Sequence, residues 1–198
     1  MAFGVLTALR ALVVVIALVA PATIAFAPGA SAEMAATVDL LAERDFEASL
    51  HRVISGARIS IDAAIYLVVL SPDARPAQPV RRLLDALIAA QRRGVAVRVL
   101  VDAGAPPSDT GESARPSLTA ARYLRDGGVD TRWDEDQRIS HAKALSVDGA
   151  VCVIGSGNWT VGGLRDNREL AVEVRSPGLA TQFAEFFATA WVAGHRVD

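Results

Sequence analysis

The stretch HAKALSVDGAVCVIGSGN, residues 141–158, decides how the rest of the chain is interpreted. Its two short apolar runs, AKALSVD and AVCVIGS, predict two strands joined tightly at a glycine. His141 and Lys143 are two positions apart, so on a strand their side chains leave the same face. Ser156 and Asn158 repeat that spacing at the end of the second strand. The pattern therefore predicts an imidazole, an ammonium, a hydroxyl and a carboxamide at one end of a sheet.

This set of groups suits a phosphate. Lysine, asparagine and serine can supply hydrogen-bond donors and positive charge where negative charge develops, while His141 remains able to attack phosphorus or to move a proton. Lys143 is the single lysine in a chain with nineteen arginines. Arginine is a planar fork and lysine a compact point charge. We therefore hypothesise that position 143 requires a slim ammonium in a crowded site.

Outside this stretch, the apolar pattern predicts alternating helices and strands. Helical spacing indicates a helix over 45–57, and β-branched alternation then predicts a strand from Arg58 with one face formed by Ile59, Ile61, Ala63 and Ile65. A helix over 79–94 and a strand over 95–103 follow. A strand, a helix and a strand joined in this way predict a parallel pair with a right-handed crossover, and so an α/β fold.

The remaining segments extend the same pattern. LTAARYLRDGG predicts a helix ended by glycine, GVDTRW and NRELAVEVRS predict strands, and PGLATQFAEFFATAWVAG predicts a C-terminal amphipathic helix. The Gly, Pro and Ser content of residues 104–117 predicts a long surface loop, which we place near the mouth of the site. The chain length suits a single domain.

The first thirty-two residues have the layout of a secretory signal peptide. They carry one charge, Arg10, followed by an apolar run and small residues that end with Ala30 and Ala32 at the A-x-A positions. A membrane anchor is the alternative, because the apolar run nearly reaches the shortest spanning length. We expect cleavage, a mature domain over 33–198, and a secreted or periplasmic location.

The charge balance and the cysteine content exclude some classes of function. Without the leader, nineteen basic residues face twenty-two acidic residues, because only Arg10 is lost from the basic count of 20. A strongly basic footprint for nucleic acid is therefore absent. The single cysteine, Cys152, cannot form an internal disulfide and lies in an apolar run, which is typical of a buried structural residue. The scattered histidines give no pattern for a metal site, so we expect no metal and no cofactor.

The motif residues now support a specific resemblance. His141, Lys143, Asp148, Gly155, Ser156 and Asn158 match H-x-K-x4-D-x6-G-S-x-N, the HKD motif of the phospholipase D superfamily, at every spaced position. The segments SIDAAIYLV, RRGVAVRVLVD and NRELAVEV also occur in the order expected of the single-motif bacterial endonucleases of that superfamily. The resemblance covers residues 38 to 193. It implies a mixed β-sheet flanked by helices on both faces, an α/β/α sandwich.

The resemblance also implies a covalent phosphohistidine mechanism without metal. His141 would be the nucleophile, and Lys143 and Asn158 would hold the phosphoryl oxygens, with a further hydrogen bond from Ser156. Glu169, in the matching NRE segment, would accept the Nδ1 proton of His141 and so present Nε2 for attack. Asp148 belongs to the catalytic motif, but it resembles a structural member away from the phosphate more than a proton carrier.

One motif supplies one imidazole, whereas this chemistry needs a second imidazole to protonate the leaving oxygen. We therefore expect a homodimer with the site on its two-fold axis, where both copies of His141 meet. The expected function is a phosphodiesterase that acts on nucleic acid. A phospholipase D acting on lipid head groups is the enzyme alternative, and a module that binds phosphodiesters without turnover is the alternative from another class. Exposed apolar loops around the site would favour lipid, and an arginine-lined groove would favour nucleic acid.

Overall fold

The computed structural model describes residues 34–103, 116–135 and 138–198, and residues 34–198 belong to one compact unit. The expected leader and most of the expected loop over 104–117 lie outside the described residues.

Within these described residues, eight strands and four α-helices follow one another, beginning with β1 (Thr37–Ala42), α1 (Arg44–Gly56), β2 (Ser60–Ile65), α2 (Pro79–Arg92), β3 (Ala96–Val101) and α3 (Leu118–Asp126). The second part contains β4 (Asp130–Trp133), β5 (Lys143–Val147), β6 (Val151–Gly155), a π-helical turn (Gly162–Asp166), β7 (Leu170–Arg175), α4 (Pro177–Ala193) and β8 (His195–Arg196). Helix α2 begins with proline in its first turn, and the side chain of Gln78 caps it by accepting from the Arg81 amide at 2.7 Å. The predicted helices and strands are therefore present in the predicted order.

All eight strands form one mixed sheet in the order β1-β7-β6-β5-β2-β3-β4-β8. Strands β2 and β3 are parallel, as their connection through α2 predicts, and β4 extends this parallel part. Strands β5, β6 and β7 are antiparallel, and β5 also pairs antiparallel with β2. The expected α/β class with a mixed sheet is confirmed.

Helices pack on both faces of the sheet. Three helices, α1, α2 and α3, pack on one face, and α4 packs on the other. Phe46 and Leu50 of α1, Leu83 of α2 and Leu124 of α3 belong to one large buried cluster on the first face. On the other face, α4 buries Phe183, Phe187 and Trp191 against Ala64, Leu100, Ala144 and Cys152 of the sheet. Cys152 is thus the buried structural residue that the sequence predicts. One helix on this face leaves part of the sheet open.

The open part lies over β6, β7 and β1. Ile154 pairs with Ala144, Val172 pairs with Ile154, and Leu40 pairs with Val172. Directly opposed residues in a sheet share a face, so this row continues the face on which Ala144 packs against α4. Ile154 and Leu40 are nevertheless exposed, at 38% and 66%. An apolar strip on the α4 side of the sheet therefore has no cover within the described part of the chain.

Two strands and one strand boundary depart from the expectations. The edge strands β1 and β8 were not predicted, because β1 is mostly exposed and β8 has two residues, so neither carries a buried periodicity. Ile59 is expected on one face of the strand with Ile61, Ala63 and Ile65, but the strand begins at Ser60 and Ile59 is 69% exposed. Among the described helices, none has the length and apolar character needed to cross a membrane.

Candidate active site

The site lies where the ends of four strands meet. In the antiparallel pairing, the start of β5 lies beside the ends of β2 and β6, and the end of β6 lies beside the start of β7. His141 and Ala142 lead into β5, Lys143 is its first residue, and Ser156 follows β6. The amide of Ser156 donates to the carbonyl of Leu170 at 3.1 Å, which fixes the end of β6 to β7. The hairpin thus brings His141, Lys143 and Ser156 to the same end of the sheet.

His141 and Lys143 are in direct contact. The Lys143 Nζ lies 3.2 Å from both Nδ1 and Nε2 of His141 and donates to the His141 carbonyl oxygen at 3.0 Å. The lysine side chain is buried, whereas His141 is exposed. Burial lowers the pKa of the Lys143 ammonium, and the negative charge of Glu169 offsets part of that effect. An imidazole therefore reaches solvent beside a desolvated positive charge.

Ser156 and Glu169 form a second pair at the start of β7. The Ser156 hydroxyl donates to Glu169 Oε2 at 2.5 Å, and Asn167 Nδ2 donates to Glu169 Oε1 at 3.0 Å. The Leu170 amide donates to Ser156 Oγ at 3.1 Å. In the single chain, both oxygens of Glu169 are thus bonded to Ser156 and Asn167, and the expected bond to His141 is not formed among the described residues.

Asn158 lies in a tightly packed turn after β6. A Cβ atom on Gly163 would lie 2.3 Å from the Asn158 carbonyl oxygen, so only glycine allows the π-helical turn to approach so closely. Arg165 of that turn forms an ion pair with Glu47 of α1, with Nε 3.0 Å from Oε2. The side-chain oxygen of Asn158 is buried and has no hydrogen-bond partner within the described residues. The packing thus fixes the backbone of Asn158 and leaves its carboxamide oxygen uncommitted.

Asp148, the motif residue that resembles a structural member, lies at the other end of β5 from Lys143. Its carboxylate accepts hydrogen bonds from the backbone amides of Arg58, Ile59 and Ser60 at 2.7 to 3.2 Å. These amides lower the pKa of Asp148 against the effect of burial. Its φ of 54° also places it in the turn that joins β5 to β6. Asp148 therefore fixes the start of β2 to the hairpin and lies at the opposite end of β5 from His141 and Lys143.

Tyr66 is a residue at the site that the sequence reasoning missed. Its ring centroid lies 4.4 Å from that of His141, and the Lys143 Nζ lies 4.8 Å from the Tyr66 centroid. The residue directly follows β2, and its amide donates to the Ala142 carbonyl at 2.7 Å. Because the end of β2 pairs with the start of β5, a residue that follows β2 lies close to His141 and Lys143. Knowledge of this strand pairing would therefore have indicated Tyr66. The neighbourhood of β2 and β5 was not predicted.

A cavity of about 460 Å³ opens beside His141, between the segment that leads into β5 and the second half of α4. Arg138 and Ile139 line one side, and Phe186 and Ala190 line the other. Among the described residues, no group of three or more His, Cys, Asp or Glu side chains could hold a metal ion. The cavity is large enough to accept part of a substrate next to the imidazole.

The chain is similar in sequence to a known family and to curated proteins. The family described as "Cardiolipin synthase, PLD-like domain" matches residues 50–191. The mitochondrial cardiolipin hydrolase of Xenopus laevis is 32% identical over 112 residues, which cover 55% of this chain and 48% of that protein. Its human counterpart is 28% identical over 142 residues, which cover 72% of this chain and 49% of that protein. The chain thus spans about half the length of the curated relatives it matches.

A solved structure shares the whole fold. Nuc from Salmonella typhimurium, described as a phospholipase D family member, superposes with a TM-score of 0.65 at 27% identity, covering 82% of this chain and 98% of Nuc. The sheet and its helices are therefore similar to Nuc over nearly the full length of that protein.

Proposed function

Because the chain belongs to the phospholipase D superfamily, we propose that it hydrolyses phosphodiester bonds with His141 as the nucleophile. The observation that carries the proposal is the exposed imidazole of His141 in contact with the buried ammonium of Lys143. Imidazole can form a covalent intermediate with phosphorus, and a fixed positive charge stabilises the negative charge that develops on the phosphoryl oxygens.

The proposed reaction has two steps. First, Nε2 of His141 attacks phosphorus, a P–N bond forms, the P–O bond to the leaving group breaks, and the departing oxygen takes a proton. Second, water attacks the phosphohistidine, the P–N bond breaks, and a proton of that water passes to a general base. Lys143 and the Asn158 amide nitrogen hold the non-bridging oxygens in both steps, and Ser156 adds a hydrogen bond. No step requires a metal.

Glu169 would stabilise the imidazolium that forms on His141. Its negative charge raises the pKa of Lys143, the residue in contact with His141. A direct bond to Nδ1 requires the His141 ring to turn from Lys143, and each Glu169 oxygen can accept it beside its present bond to Ser156 or Asn167. Substrate would favour that change, because a bound phosphate competes for the Lys143 ammonium.

We propose a homodimer as the source of the second imidazole. The leaving oxygen needs a proton donor, and one chain has one motif histidine, so a two-fold axis through the site would supply a second His141. The general base of the second step would be the same group, which has just lost its proton.

The uncovered side of the sheet supports this dimer. The outer side of α4 carries the exposed Phe186 and Val192, and the only charged residue of the helix is Glu185. A helix that is apolar on most of its circumference is normally covered on both sides. The strip with Leu40 and Ile154 lies on the same side of the sheet, and Phe186 lines the cavity beside His141. A second copy of this chain would therefore cover this surface and reach the site.

Nucleic acid is the first proposed substrate, in line with the resemblance to single-motif endonucleases. Arg138 lines the cavity beside His141, and the exposed Arg168 precedes Glu169 at the edge of the site. Guanidinium groups at these positions can hold neighbouring phosphates of a chain. The overall excess of acidic residues restricts such binding to this local region.

Phospholipid is the second candidate, and exposed apolar residues in the loops around the site favour it. Val69 follows β2, Ile139 precedes His141, and Val161 follows Asn158, and these side chains are 39%, 73% and 40% exposed. Apolar side chains on loops at the mouth of a site can enter a lipid surface. The cardiolipin hydrolases among the relatives agree with this candidate in name.

The deciding experiment measures turnover by the purified protein in excess EDTA. The substrates are single-stranded DNA, double-stranded DNA, RNA, vesicles of cardiolipin or phosphatidylcholine, and a chromogenic phosphodiester. His141→Ala should be inactive, while His195→Ala is the matched control, because His195 lies in β8 at the far edge of the sheet. Loss of activity with EDTA, or activity in His141→Ala, contradicts the mechanism. Binding without turnover of any substrate would support the module that binds phosphodiesters.

We also propose that the protein is exported and that the leader is removed after Ala32. The expected N-terminus of the mature protein is Glu33, and the intact mass of protein recovered from the periplasm or medium tests it. A full-length mass in the membrane fraction would support the anchor instead.

A further inference from the structure

Tyr66 is the aromatic residue that contacts both halves of the His141–Lys143 pair. Its ring centroid lies 4.4 Å from the imidazole centroid at an interplanar angle of 51°, and the Lys143 ammonium lies 4.8 Å from the same ring. The Tyr66 amide donates at 2.7 Å to the carbonyl of Ala142, the residue between the two. The backbone and the ring of Tyr66 thus both position this pair.

The ring also compensates for the burial of the Lys143 charge. Lys143 is 7% exposed, and among the described residues its contacts are the ring and carbonyl of His141 and the face of Tyr66, with no carboxylate at ion-pair distance. A buried ammonium without a paired carboxylate is costly. The negative face of an aromatic ring attracts a cation, more strongly when water is excluded.

We propose that Tyr66 is a positioning residue for the reaction proposed above, and that its ring rather than its hydroxyl performs this role. The ring packs against the imidazole and the ammonium, which also contact each other, so that both meet the same phosphate. The inference rests on the proposed function of His141. It assigns a role to a residue outside the motif.

The hydroxyl is not used for this purpose in the structure. Among the described residues, the Tyr66 hydroxyl has no hydrogen-bond partner, whereas the other tyrosine, Tyr123, donates its hydroxyl to Asp85 at 2.5 Å. Phenylalanine at position 66 would keep the ring contacts with His141 and Lys143. An aliphatic side chain would occupy similar space without an aromatic face.

Tyr66 is also a small part of the core. It is half-buried, while Ile61, Ala63 and Ile65 of the preceding strand are fully buried. Replacing its ring should therefore reduce catalysis more than stability. A purely structural residue would show the opposite balance.

The experiment compares Tyr66→Phe, Tyr66→Leu and Tyr66→Met in the full chain, on the substrate that the wild-type protein cleaves. Tyr66→Phe should keep kcat within about twofold. Tyr66→Leu and Tyr66→Met should lower kcat by about 10- to 100-fold with little change in KM, because alignment acts mainly in the reacting complex. Trapped phosphohistidine should form more slowly in both aliphatic variants.

Tyr123→Leu is the matched control. The Arg81 guanidinium lies 4.4 Å from the Tyr123 ring centroid, so this variant removes a similar cation–π contact on α3, away from the site. It should leave kcat unchanged. Wild-type kcat in folded Tyr66→Leu or Tyr66→Met, or an equal loss in Tyr66→Phe, overturns the role of the ring. If His141→Ala stays active, the proposed function itself fails, which is a different result.

Discussion

The Lys143 ammonium lies 3.2 Å from both ring nitrogens of His141. This contact joins the only lysine of the chain to the proposed nucleophile. The ammonium also donates to the His141 carbonyl oxygen and lies over the Tyr66 ring. A planar guanidinium is wider than an ammonium and orients its donors in a fixed fork. We therefore expect position 143 to require the smaller cation, although the chain uses arginine at its other nineteen Lys or Arg positions.

Lys143→Arg should therefore lose most of its activity although the charge is kept. We expect kcat to fall about 100-fold or more, since small displacements of catalytic groups are costly, with a native circular dichroism spectrum. Arg92→Lys, which exchanges the same two residues at an exposed position in the last turn of α2, should remain within about threefold of wild type. Near wild-type turnover by Lys143→Arg would show that the size of the cation is unimportant.

Glu169→Gln should shift the pH dependence of the reaction. The Glu169 charge raises the pKa of Lys143 against the larger lowering effect of burial. Removing that charge lowers the Lys143 pKa further, so the ammonium loses its proton at a lower pH. The alkaline limb of kcat/KM should move to lower pH, as a pH–rate profile measures. Asp126→Asn, on the exposed end of α3, should leave the alkaline limb of the pH profile unchanged. If the limb is also unchanged in Glu169→Gln, the electrostatic coupling between Glu169 and Lys143 is refuted.

Asp148→Asn should weaken the fold and spare the chemistry. The backbone amides of residues 58–60 hold the folded-state pKa of Asp148 below its ordinary value. Its stabilisation is therefore complete above the unfolded-state pKa and is lost as the pH falls through the folded-state pKa. We expect the free energy of unfolding, measured by urea denaturation, to fall by about 1 to 2 kcal/mol at pH 7. The decrease should be smaller at pH 3. The kcat of the folded variant should be unchanged. A large fall in kcat would show that Asp148 acts in catalysis.

Ile154→Lys should separate the proposed dimer. A charge in the middle of the uncovered strip would be buried without a partner in the dimer, so association should weaken by about 100-fold or more. Light scattering coupled to gel filtration measures the molar mass of the variant in solution. Activity should fall as the fraction of dimer falls. Ile59→Lys is the control, because Ile59 is 69% exposed at the Asp148 end of the sheet. A dimer of unchanged affinity in Ile154→Lys would exclude this surface.

Much of the fold could be predicted because the relevant signals are local. Helical spacing and strand alternation fix which side of an element is buried, and a strand–helix–strand order restricts β2 and β3 to a parallel pair. The same alternation places His141 and Lys143 at one end of β5. The edge strands β1 and β8 could not be predicted, since an exposed or very short strand has no buried face to reveal it.

The sequence by itself determined the identity and spacing of the motif residues, the alternating order of helices and strands, and the meeting of two strand ends at the hairpin. The tertiary structure alone decided that β5 lies beside β2, which brings Tyr66 to His141 and Asp148 to the start of β2. It also decided that Glu169 lies against Ser156 and that α4 covers half of one sheet face. These contacts join segments far apart in the chain. Their pairing depends on how all the apolar faces can be buried together, and no local pattern carries that information.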